Sequence, residues 1–103
     1  MFSLFALALV TVAPVDSAPA TRVVAIRGKS FAPNTITISA GDALNFQSDD
    51  AVAHRLFSAS PSLAFAVKDL PAGGATTVTM ATPGVGEVRC LAHPAMKLKV
   101  TVN

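Results

Sequence analysis

The sequence predicts an all-β protein, folded as an antiparallel β-sandwich of Greek-key type. Three observations lead there. Short runs alternate apolar and polar residues with the two-residue period of a half-buried strand. Gly, Pro, Asn and Asp collect in the breaks between those runs, and no segment has the apolar spacing of a long amphipathic helix. With 103 residues the chain has room for one domain.

The elements follow in order from residue 21. A β-branched run fills Thr21 to Arg27 and ends at Gly28-Lys29-Ser30; Phe31-Ala32-Pro33-Asn34 reads as a turn, and Thr35-Ile36-Thr37-Ile38 as a strand. Ser39-Ala40-Gly41-Asp42 turns the chain into a strand over 43–47, which Ser48-Asp49-Asp50 breaks. Residues 51–58 are expected as a strand with His54 at its middle, and 63–68 as either a strand or a short helical turn. The loop Leu70-Pro71-Ala72-Gly73-Gly74 leads into a strand over 75–80. After the turn Thr82-Pro83-Gly84, strands over 86–90 and 97–102 close the fold. In the last of these, Leu98, Val100 and Val102 share one face, and Lys97, Lys99 and Thr101 the other. By the same alternation Val88 and Cys90 face inward while Glu87 and Arg89 face outward. Phe31, Phe46, Phe57, Phe65 and Met80 are expected in the core.

The first fifteen residues, MFSLFALALVTVAPV, carry no charge, and Ala18-Pro19-Ala20 puts small residues at the positions a signal peptidase reads. This predicts a signal peptide over 1–20 and a periplasmic or otherwise exported domain over 21–103. A basic segment ahead of the apolar run is missing, since the first basic residue is Arg22. The run is shorter than the ~20 residues that cross a bilayer, so no membrane attachment is expected after cleavage.

Export makes the single cysteine informative, because small exported domains commonly rely on disulfides or a metal, and one cysteine cannot form an internal disulfide. An odd cysteine in such a chain is an intermolecular bridge, a reactive thiol, a metal ligand or a small buried hydrophobe. Its neighbours narrow the choice. Cys90, His93 and Met96 form C-x2-H-x2-M between the last two strands, and His54 is the one other histidine. Taken singly, each residue has a plain reading: His54 in the core or on the surface, His93 as a loop polar group, Met96 as packing. Together, two imidazoles, a thiolate and a weak axial thioether describe a blue-copper electron-transfer site.

Three stretches resemble the cupredoxin family, the plastocyanin- and azurin-like type 1 copper proteins. They are Phe31-Ala32-Pro33 followed by residues 36–42 (ITISAGD); Ala51-Val52-Ala53-His54; and residues 90–96 (CLAHPAM) followed by Lys97-Leu98-Lys99-Val100. The short ligand-loop spacings and the Pro after the loop histidine resemble the amicyanins within that family. The resemblance implies one type 1 copper per chain held by His54, Cys90, His93 and Met96, with the loop histidine, His93, as the electron port in an apolar patch. It also implies a soluble monomer that meets redox partner proteins transiently. Two positions depart from the pattern. Arg55 stands where the family usually has Asn after the first histidine, and residues 86–89 (GEVR) lack the usual aromatic before the cysteine.

The main alternative is a copper carrier, sensor or buffer without redox duty; against it, only Met80 and Met96 remain after the leader is removed, too few for an exposed Met-rich delivery site. A zinc enzyme built on His54, Cys90 and His93 has a precedented ligand count, but its natural general base, Glu87, faces outward. Cys–His nucleophilic catalysis lacks a third orienting group, and a metal-free structural sandwich leaves the constellation unexplained. The eight basic residues are scattered without interleaved aromatics, which excludes a nucleic-acid face.

Overall fold

The computed structural model describes residues 18–103. The apolar stretch read as a leader falls in residues outside those described. Nine strands follow in chain order: β1 (Thr21–Arg27), β2 (Ser30–Ala32), β3 (Thr35–Ile38), β4 (Ala43–Ser48), β5 (His54–Ser58), β6 (Phe65–Leu70), β7 (Ala75–Thr79), β8 (Gly84–Cys90) and β9 (Lys97–Val102). They form a four-stranded sheet, β2-β1-β4-β7, and a five-stranded sheet, β3-β9-β8-β5-β6. No helix occurs among the described residues.

The sandwich is the one expected, but its sheets are mixed. β1 pairs with β4 and β3 with β9 in parallel, while the remaining neighbours are antiparallel. Apolar alternation carries no information on strand direction. Parallel neighbours arise because the chain leaves β1, crosses to the other sheet as β3, and returns beside β1 as β4.

Two elements differ from their sequence reading, and a third that the sequence left open is settled. Ser30–Ala32 is a short strand, not a turn, because Gly28 and Lys29 both take left-handed φ angles, 57° and 59°, and make a two-residue hairpin that folds β2 back on β1. Residues 65–70 resolve as a strand, the edge of the larger sheet. His54 is the first residue of its strand and not the middle, since residues 50–53 form a loop and pairing with β6 begins at His54 opposite Leu70.

The core lies between the inward faces. Val24, Ile26, Leu44, Phe46 and Val78 come from the smaller sheet, and Leu56, Leu70, Val88, Cys90, Leu98, Val100 and Val102 from the larger. Phe31 meets Phe46 edge-on at 6.0 Å, and Met80 is buried. Phe65 only packs against the core margin, and Phe57 is half-buried. The loop between β5 and β6 folds over β8, where Leu63 is buried and the Ser60 hydroxyl accepts the Glu87 N–H at 3.0 Å.

Candidate metal centre

Neighbouring strands deliver two donors from opposite directions. β5 starts with His54, β8 ends with Cys90, and the two strands pair antiparallel with Leu56 opposite Cys90. His93 comes from the loop between β8 and β9. The three donor atoms meet: His54 Nδ1 and His93 Nδ1 lie 3.2 Å apart, and Cys90 Sγ lies 3.7 Å from each. A point equidistant from atoms with those separations is about 2.1 Å from each, within the roughly 2.0–2.3 Å range of imidazole and thiolate bonds to a divalent metal. The described residues thus hold a donor triangle that fits a metal ion of the copper or zinc class, formed by two rings in edge contact and one sulfur.

The three-residue spacing of the loop has a structural cause. The His93 N–H reaches back to the Cys90 carbonyl at 3.3 Å, and the Met96 N–H to the His93 carbonyl at 2.9 Å, so the loop is two successive tight turns. Those turns place Met96 as a buried residue at the entrance to β9. The loop is also tied to its surroundings. The Leu91 N–H donates to the Arg55 carbonyl at 2.9 Å, and the Arg55 N–H donates to Cys90 Sγ at 3.4 Å. The Arg55 side chain, where the resembling proteins have Asn, takes no part in this and instead pairs with Asp69 in solvent. The backbone at position 55 therefore supplies the link whatever the side chain.

Arg89 departs from the expectation of a solvated residue on an outward face. It is half-buried; one guanidinium nitrogen donates to the Pro94 carbonyl at 2.8 Å and another to Glu87 at 3.3 Å, while its buried Nε has no partner. Pro94 is thus a hydrogen-bond acceptor in the loop as well as a residue with no N–H to offer.

Asp50, which stands in the sequence only as a strand breaker, reaches the site. Its Oδ2 lies 2.9 Å from His54 Nε2, and its two oxygens accept the Gly28 and Lys29 N–H groups. The Lys29 amide, opposed by burial and helped by the His54 ring and the Gly28 amide, holds the Asp50 carboxyl below the ordinary carboxylate value. The available signal was an Asp four residues ahead of a candidate ligand histidine.

Burial is graded across the centre. His54 and Cys90 are closed off from solvent, whereas His93 is half-exposed among exposed Leu91, Ala92, Pro94 and Ala95. A thiolate and two imidazoles in a dry pocket, with one imidazole edge at the surface, can hold a soft or borderline transition metal and leave it one short path to the outside.

These features describe a cupredoxin-like β-sandwich fold with a His-Cys-His donor cluster at the end of the sandwich where β5 starts and β8 ends, and with a buried Met in the loop between β8 and β9. No protein-family model matches the chain, and no curated protein matches it in sequence. Among solved structures the chain is similar to amicyanins. A methionine-to-glutamine variant of amicyanin with Cu(I) is 21% identical over 81% of this chain and 82% of that one, with a TM-score of 0.71. Amicyanin from Paracoccus versutus is 22% identical over 87% and 86% of the two chains, with a TM-score of 0.70. A reduced tryptophan-to-tyrosine variant of amicyanin, 22% identical over 87% of each chain, gives 0.71.

Proposed function

We propose that the chain is a type 1 copper protein that carries single electrons between redox partner proteins, with one copper held by His54 Nδ1, Cys90 Sγ, His93 Nδ1 and Met96. The observation that supports this most directly is the donor triangle, whose separations suit N- and S-bonds to one ion. Bound there, copper supplies a one-electron Cu(II)/Cu(I) couple.

The rest is work done by the protein's own residues. His54 and Cys90 present their donors from paired strands that cannot move independently, so the site resists rearrangement between the geometries the two oxidation states favour. The Arg55 N–H donates to the sulfur and fixes the direction in which the Cys90 side chain points. The apolar core excludes water on the His54 side. His93, half-exposed among small apolar residues, is the edge at which a partner would approach, in a transient contact that needs no deep pocket.

We also propose that residues 1–20 are a signal peptide and that residues 21–103 act as a monomer in the periplasm or another exported compartment. The test of the function is a visible and EPR spectrum after one equivalent of Cu(II), with Cys90→Ser alongside. An intense thiolate-to-copper band with narrow copper hyperfine splitting is expected, absent from a folded Cys90→Ser. A pale, ordinary Cu(II) spectrum, or tighter uptake of zinc with no colour, would falsify the type 1 assignment. Rapid self-exchange of electrons in the loaded protein separates a carrier from a copper buffer, which would exchange slowly.

A further inference from the structure

His54 is fully buried, and a buried ring nitrogen needs a partner. Nδ1 faces Cys90 and His93; Nε2 faces Asp50, whose other bonds reach across to the second sheet. His54 begins a strand of the five-stranded sheet, whereas Gly28 and Lys29 form the β1–β2 turn of the four-stranded one. With both residues left-handed, the turn aims two successive N–H groups at one carboxylate: Gly28 at 2.6 Å from Oδ1 and Lys29 at 2.9 Å from Oδ2. Backbone amides only donate, so with one on each oxygen the carboxylate is held as an ionised acceptor. The hydrogen it shares with His54 then belongs to Nε2, and in the neutral ring that leaves Nδ1 with its lone pair in the donor triangle.

We infer that Asp50 is a positioning residue of the metal centre: anchored by the Gly28–Lys29 turn, it sets the His54 tautomer and ring orientation before any metal arrives and biases the site toward Cu(II). The inference rests on the reading of His54 as a copper ligand. The physical basis of the bias is that a carboxylate behind a ligating imidazole makes the ring a stronger donor and adds negative charge near the ion. Both effects favour the more positive oxidation state.

The experiment uses the wild-type chain, Asp50→Asn and Asp42→Asn. Asp42 is the matched control: in the full chain, used for all three proteins so that Ala20 is present, its carboxylate also accepts two backbone N–H groups, from Ala20 and Ser39, and contacts no donor residue in those bonds. In the metal-free wild type, long-range 15N–1H correlation is expected to show His54 protonated on Nε2. Asp50→Asn should lose Cu(II) affinity about 10- to 100-fold and Cu(I) affinity less. A tenfold change in the ratio of the two raises the potential by about 59 mV. Asp42→Asn should keep the wild-type potential even where it lowers the melting temperature. A wild-type His54 protonated on Nδ1 overturns the inference without recourse to any variant, including one that fails to fold. So does a blue Asp50→Asn protein with unchanged potential, or a shift of equal size in Asp42→Asn. A wild type that shows no blue band fails differently, because it removes the copper reading beneath the inference.

Discussion

Cys90 and His93 are joined by one tight turn, so whatever holds that turn holds two donors at once. Arg89 holds the adjoining turn, His93 to Met96, from outside through the Pro94 carbonyl, with a side chain only about one-third exposed. Arg89→Ala should cost about 1 kcal/mol, the low end for a hydrogen bond from a charged group given that exposure, and should speed amide exchange across residues 91–96. Urea unfolding and hydrogen exchange would measure this, and unchanged exchange would mean that the clamp is idle. Met96 is tested by the potential. Met96→Gln replaces a soft thioether with an oxygen donor that favours Cu(II), so copper should stay bound while the reduction potential falls. An unchanged potential would remove Met96 from the ligand set. At this scale the sequence offered the candidate donors, because Cys, His and Met are chemically conspicuous at fixed spacing. Asp50 and the Arg55 backbone stayed hidden, because their roles depend on partners 22 and 35 positions away; Arg89, whose partners Glu87 and Pro94 are near in sequence, was hidden because strand alternation places its side chain on the outer face.

β8 carries Cys90 and is covered near its start by the β5–β6 loop, an arrangement that needs glycine. A Cβ on Gly86 would stand 2.6 Å from the Ser60 Cβ, closer than packed carbons allow, and a tight 3.1 Å from Leu63 Cδ1. Gly86→Ala should therefore destabilise the fold by about 1–3 kcal/mol, as overpacking does, and disturb the Ser60 bond to the Glu87 amide. A urea midpoint equal to wild type would show that the loop yields freely. Elements with one fully buried face, β9 above all, were legible because burial imposes strict alternation. β6 was ambiguous for the opposite reason: it is an edge strand with most of its residues exposed, so little in its sequence had to alternate. The left-handed Lys29 concealed β2, since a Gly-Lys-Ser break gives no sign of which residues must take positive φ.

For the whole molecule, the connection between strands that are remote in sequence shows in its response to acid. Asp42 is buried, and in the full chain, with Ala20 present, the Ala20 and Ser39 amides hold its carboxyl below the ordinary value of 3.8 despite that burial. A depressed carboxyl contributes stability that is present above the unfolded value and lost as pH falls through the folded one. The melting temperature should accordingly drop as pH is lowered from about 3.8, and Asp42→Asn should be less stable at neutral pH with a shallower acid decline. Parallel pH profiles for the two proteins would contradict this. What the sequence alone determined was the all-β class, the inward and outward faces of the last two strands, and a His-Cys-His-Met set. These follow from local periodicity and from residue chemistry, which a linear chain displays. Strand direction, the start of β5 at His54, the 3.2 Å and 3.7 Å donor separations and the Asp50 bridge between sheets were decided only by the tertiary structure. Each depends on which distant segments become neighbours, and a two-residue period does not encode that.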